Sequence, residues 1–186
     1  MDDKKITSLW KILSRIDNYM ISTNNKAALL LAFISFFVGG IIIKWADILK
    51  MYNSDATIEL IVSSLLIICA GASIFSLVKL FQVIKPYLYS HSFPEKYHSK
   101  IFFLHIANYK TEADYYHAST EITGDGFILD LSSQIFALSK GISKKFHLLN
   151  QAICSILFVI LPSLFLMIFC KVYLLLSTIK ILNGDN

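Results

Sequence analysis

Three long apolar runs leave this chain few ways to fold. Residues 27–43 (AALLLAFISFFVGGIII) contain no charged side chain, and residues 58–84 (IELIVSSLLIICAGASIFSLVKLFQVI) are broken only by Glu59 and Lys79, near the two ends. Residues 152–176 (AICSILFVILPSLFLMIFCKVYLLL) carry one charge, Lys171. A helix rises about 1.5 Å per residue, so about 20 apolar residues cross the hydrocarbon of a bilayer. The expected fold class is therefore all-α: a membrane helical bundle with three transmembrane helices and a cytoplasmic helical extension. Composition agrees, with 55% hydrophobic and 16% charged residues, against about 25% charged in soluble domains. The alternative, three buried helices of a soluble core, fits runs of this length and purity poorly. The first run follows 26 polar and amphipathic residues and precedes no small-residue cleavage site. It reads as a retained anchor, not a signal peptide.

Basic residues set the expected orientation. Lys4, Lys5, Lys11, Arg15 and Lys26 precede the first run, whereas residues 44–57 hold only Lys44 and Lys50, offset by Asp47 and Asp55. Lys85, Lys96, Lys100, Lys110, Lys140, Lys144 and Lys145 lie between the second and third runs. The positive-inside rule then places the N-terminus and residues 85–150 in the cytoplasm. Trp45, Tyr52 and Tyr173 fall where interfacial aromatics sit. The expected organisation is a cytoplasmic amphipathic helix (1–26), then two transmembrane helices within 27–84 joined by an external loop at 44–57. A cytoplasmic helical sensor region (85–150), a third transmembrane helix (151–177) and an external tail (178–186) follow.

Helical periodicity extends beyond the spans. Ile6, Leu9, Leu13, Ile16 and Met20 repeat every three or four residues, predicting an amphipathic helix over 5–22. Ile128, Leu131, Ile135, Leu138, Ile142, Phe146 and Leu149 do the same. No proline separates this second stripe from the third span, so one helix is expected from about Phe127 to Leu176. Such narrow stripes need a partner, within the subunit or in a second copy. Thr123-Gly124-Asp125-Gly126 reads as a hinge or turn before that helix. Another cytoplasmic helix is expected to start at Ser92-Phe93-Pro94 and run over about Glu95 to His117. Lys85-Pro86 should stop the second span, and Pro162 should kink the third near Phe158.

Candidate sites are few. His91, His98 and His105 recur every seven residues, roughly 10 Å along a helix, too far apart for one metal ion with bonds near 2 Å. Cys69, Cys154 and Cys170 all lie inside spans, leaving no disulfide framework. Glu112, Asp114, Tyr115, Tyr116 and His117 form either a solvated helix end or a ligand-contacting surface. Lys79 and Lys171 sit near span ends, where long stems reach the headgroups, with pore lining as the other reading. Ser63, Ser64, Gly71, Ser73 and Ser76 give the second span a small, weakly polar face, suited to close packing or to an aqueous path. No phosphate loop, nucleophile elbow or kinase signature occurs, so no enzyme is expected. At the start of the first span, Thr23 or Asn24 can cap a helix while Lys26 meets the headgroups; equally, Lys26 can belong to a site.

Three segments resemble a known family. "IDNYMISTNNKAALLLAF" (16–33) resembles the opening of Pycsar effector proteins of bacterial anti-phage defence, I-x-x-A-D-T-K-A before an apolar span. "SKIFFLHIANY" (99–109) is similar to their S-x-x-F-F-x-x-I-A element. "DLSSQIFALSKGISKKFHLLNQAI" (130–153) is similar to their D-x-x-x-Q-I-x-x-L-S-x-I-x-x-K-[YF] stretch before the last span. The matches come in family order and cover most of the chain. One departure is that Asn24-Asn25 replaces the family's Asp-Thr, while Lys26 is kept. The resemblance implies a multi-pass protein of the bacterial inner membrane, activated by a cyclic nucleotide from a partner cyclase. That ligand would be a cyclic pyrimidine monophosphate, and activation would impair the membrane and cause abortive infection. Charge, position and resemblance together nominate Lys26, Lys100, Asn108, Lys110, Gln134, Lys140 and Lys144 for ligand contact. Membrane lipid and a homo-oligomer are the expected partners, with no nucleic acid, metal or further cofactor. The alternative is a constitutive membrane scaffold or subunit without a small-molecule ligand.

Overall fold

The computed structural model describes residues 2–53, 55–86 and 99–182. Among these the chain is all helix: α1 (Asp2–Lys50), α2 (Ala56–Ile84), α3 (Phe103–Ile106), α4 (Glu112–Thr120), α5 (Gly124–Ser155), a π-helical turn (Ile156–Ile160) and α6 (Leu161–Leu182). Three stretches are long and apolar enough to cross a membrane: Asp3–Lys50, Ala56–Ile84 and Gly124–Ile179.

Helix α1 runs unbroken through Asn24, where the sequence suggested a cap. The Thr23 hydroxyl donates to the Tyr19 carbonyl one turn back (2.7 Å) and caps nothing. The first 38 residues contain neither glycine nor proline. Strong helix formers then follow at Lys26-Ala27-Ala28-Leu29, and the polar corner alone is too weak a breaker. At the far end α1 continues through residues 44–50, so the non-helical link to α2 is shorter than the 44–57 loop expected. The Asp55 carboxylate caps α2, accepting from the backbone N–H of Thr57 (2.8 Å) and Ile58 (3.4 Å). Helix α2 stops at Ile84 because Lys85, held extended (ψ 133°), precedes Pro86.

Two expectations for the later helices need correction. The predicted helix over about 95–117 is instead two short helices, α3 and α4, separated at 107–111; residues 95–98 lie outside those described. Of the Thr123–Gly126 segment, only Thr123 stands outside a helix, and Gly124–Gly126 already open α5. The Thr123 hydroxyl accepts from the Gly126 N–H (3.2 Å), and a Cβ at Gly126 would stand 3.2 Å from that oxygen. Near Phe158 the expected irregularity is present, as a π turn. Pro162 offers no N–H, and its ring crowds the carbonyl four residues back. The backbone widens one turn ahead, the Leu161 N–H bonding the Ile156 carbonyl five residues earlier.

The chain divides into two compact units: residues up to Asn24 with Pro86–Phe146, and Asn25–Lys85 with His147–Asn186. In the second unit, Ile34 and Ile41 of α1 pack with Val62, Leu66 and Cys69 of α2, with Ile156 and Ile160 of the π turn, and with Met167 and Leu174 of α6. Phe36, Leu60, Phe158 and Phe165 are more than two-thirds exposed on its outside, as lipid-facing side chains would be. Ser73 and Ser76 are fully buried and donate back to the Cys69 (2.7 Å) and Ala72 (2.9 Å) carbonyls of their own helix. Of that small, weakly polar face, Ser73 and Ser76 therefore serve close packing, while Ser64 and Gly71 are exposed. Lys171 donates to the Met51 carbonyl (2.8 Å), capping the end of α1. The buried Tyr52 hydroxyl donates to the Met167 carbonyl (3.0 Å). Tyr52→Phe is expected to cost about 1 kcal/mol, read as a lower thermal midpoint in detergent; an unchanged midpoint would show that bond to be idle.

In the first unit the α1 stripe points inward: Leu13 and Ile16 are buried, and Ile6, Leu9 and Met20 are partly so. Trp10 of α1 and Phe127 of α5 lie 6.4 Å apart between ring centroids. The α5 stripe behaves likewise at Leu131 and Ile142, but Phe146 is exposed. Beside it runs a second buried strip, Asp130, Gln134, Ala137, Gly141 and Lys145, at spacings of three or four. This strip is largely polar, so no apolar periodicity announces it.

Candidate functional site

The buried polar strip of α5 organises the first unit. Asp130 is fully buried, and one carboxylate oxygen accepts the Lys100 N–H (2.8 Å) while the other has no partner among the described residues. The Gln134 amide donates to the Ser99 hydroxyl (3.1 Å), which also accepts from the backbone N–H of Ile101 (3.2 Å) and Phe102 (3.0 Å). The Ser99 N–H donates to Nδ1 of His105 (2.9 Å). The Tyr115 hydroxyl donates to the Lys100 carbonyl (3.1 Å) and stacks obliquely on Tyr109 (5.5 Å). Ser99-Lys100 is thus fastened by four hydrogen bonds, two to α5 (Asp130 and Gln134), one to His105 of α3 and one from Tyr115 of α4.

At the other end of the strip, Lys145 is 3% exposed, and its ammonium donates to Oδ1 of Asn24 (2.8 Å). Burial pushes the Lys145 amine below the ordinary lysine value. Burial likewise pushes the Asp17 carboxyl above its ordinary value.

A groove of about 410 Å³ opens on the same unit, lined by Lys4, Lys5, Ser8 and Leu9 of α1 and by Ile128 and Ser132 of α5. About two turns of α5 carry this face onward from Ser132 to Phe136 and Lys140 at i, i+4 spacing. Phe136 is 55% exposed, and the Lys140 ammonium lies over its ring (4.5 Å to the centroid). The two ammonium groups and two hydroxyls that line the groove suit a small organic anion.

The nominated ligand residues within the first unit fall into separate groups. Gln134 and the backbone of Lys100 belong to the buried fastening. Asn108 and Lys110 are exposed in the segment between α3 and α4, and Lys140 and Lys144 are exposed on α5. Lys26 belongs to the second unit. His105 accepts a hydrogen bond in the fastening, and His91 and His98 lie outside the described residues. The charge-based choice missed Ser99, Asp130 and Lys145. All three stand in the quoted motifs, as the first serine, the first aspartate and the lysine before Phe146. Lys4 and Lys5 were visible only as contributors to orientation.

A multi-pass helical membrane protein, whose first unit is built on a buried polar strip, defines the class. The model of the Pycsar effector protein domain matches residues 8–172, and the chain belongs to that family. It is therefore a transmembrane effector of anti-phage defence. The matched stretch includes Asn24, Ser99, Asp130, Gln134 and Lys145 and begins after Lys4 and Lys5. No curated protein and no solved structure matches the chain.

Proposed function

We propose that the protein is a non-enzymatic effector of the bacterial inner membrane, activated by a cyclic mononucleotide bound to the first unit. The N-terminus and residues 85–150 face the cytoplasm, where a partner cyclase releases the ligand, and the active form is a homo-oligomer. The observation that carries the ligand reading is the groove between α1 and α5. Its two lysines suit the single negative charge of a cyclic phosphate. A cyclic pyrimidine monophosphate is the favoured ligand, following the family resemblance. Lys140 and Lys144, exposed on α5, add positive charge to the approach, and Asp130 and Gln134 hold Ser99 and Lys100 in place. Ligand affinity for one arrangement of α1 on α5 would shift the population of a two-state helix pair. Both helices continue into apolar spans, so such a shift reaches the membrane and impairs it, causing abortive infection.

Leakage of dye from liposomes containing the full chain tests this reading. Cyclic UMP or cyclic CMP is expected to trigger leakage. Lys4→Gln/Lys5→Gln is expected to raise the concentration needed by at least tenfold, the equivalent of about 1.4 kcal/mol. Silence toward all cyclic pyrimidine and purine mononucleotides would favour a constitutive scaffold instead. Leakage unaltered in the double variant would move the ligand elsewhere.

A further inference from the structure

We propose that the second unit binds an anionic phospholipid, one acyl chain lying in a groove between α2 and the α5–π-turn junction and the phosphate resting against Lys79. The groove encloses about 710 Å³. Small residues, Gly71 and Ala72 of α2 with Ser155 of α5, line it, and Ile68, Phe75 and Phe158 provide apolar surface. The Ser155 hydroxyl donates to the Ala72 carbonyl (3.3 Å), fixing the two helices together here. A Cβ built on Gly71 meets nothing within 4 Å, so the space beside it is open.

The polarity is graded along the groove. Helices α2 and α5 run in opposite senses, which brings Phe75 and Gln151 to one end and Ile68 and Phe158 to the other. At the first end the Lys79 ammonium lies over the Phe75 ring (5.1 Å to the centroid). The Gln151 amide nitrogen meets Nε2 of His147 (2.9 Å), and its carbonyl oxygen is buried without a partner among the described residues. The other end, at Ile68, Phe158 and Val159, is wholly apolar. A cationic and hydrogen-bonding end on an apolar trough matches the layout of a phospholipid. A spanning helix of a second copy matches it poorly, because a parallel copy brings another Lys79 to the same depth. Like charges at close range in low dielectric repel strongly.

Native mass spectrometry of the full chain in detergent, without nucleotide, reads the result. Phosphatidylglycerol is expected to bind one molecule per subunit in preference to phosphatidylcholine. Gly71→Leu, whose Cβ meets nothing within 4 Å, projects into the trough and is expected to weaken phosphatidylglycerol binding at least tenfold. Lys79→Gln is expected to retain lipid binding but abolish the preference for the anionic headgroup. Unaltered phosphatidylglycerol binding in Gly71→Leu, or an intact preference in Lys79→Gln, overturns the site. A Gly71→Leu protein that changes subunit number while holding its lipid assigns the groove to a second copy.

Discussion

Asn24→Leu is expected to destabilise the first unit by about 2–3 kcal/mol, far more than loss of an ordinary surface amide. The Lys145 ammonium is buried, and its acceptor among the described residues is Oδ1 of Asn24. Removing that acceptor leaves an uncompensated charge out of water, which costs more than the hydrogen bond itself contributes. Lys145→Met keeps the length of the side chain without the charge and is expected to be neutral or slightly stabilising. Combined with Asn24→Leu, it should recover most of the lost stability. Thermal midpoints of the four proteins in detergent complete the cycle; additive effects would mean that the two side chains do not act together.

The same pair predicts a pH dependence. The folded-state value of Lys145 lies below its ordinary 10.5. Between those two values the unfolded chain holds a proton that the folded chain has released, so stability rises with pH across that window. Asn24→Asp, which restores the family's acid, supplies a carboxylate and raises the folded value of Lys145. It is expected to flatten the rise while leaving the fold intact. A slope identical to that of the wild type would show that the ammonium is not the titrating group.

Asp130→Ala is the second large effect. The side chain is fully buried and accepts the Lys100 N–H. Alanine leaves that donor unpaired and opens a small cavity, together about 2–3 kcal/mol. Asp130→Asn keeps an acceptor for Lys100 and is expected to cost under about 1 kcal/mol. Limited proteolysis gives a local reading: cleavage should rise within 99–111 in Asp130→Ala and stay near wild type in Asp130→Asn. Equal cleavage in all three proteins would remove the fastening from its assigned role.

Helix identity and span number were legible because they depend on short-range pattern. Uncharged runs of bilayer length specify helices wherever they lie, and the three- and four-residue stripes at Leu13 and Ile16, and at Leu131 and Ile142, specify inward faces. Helix ends were less legible. Thr23-Asn24 carries the chemistry of a cap, yet α1 passes through it, because a cap needs a break in the backbone that neighbouring residues do not provide. Asp130, Gln134 and Lys145 were least legible of all as buried groups. A polar side chain goes inside only when partners await it, and those partners stand at Ser99, Lys100 and Asn24, far away in the sequence.

By itself, then, the sequence determined an all-helical membrane protein with three apolar spans and two amphipathic helices, since periodicity and run length need no distant contact. Only the tertiary structure decided which polar groups are buried, that Lys145 depends on Asn24, and that Lys4 and Lys5 share a groove with Ser132. Those outcomes bring together residues as far apart as Asn24 and Lys145 or Lys4 and Ser132, and no local pattern encodes them.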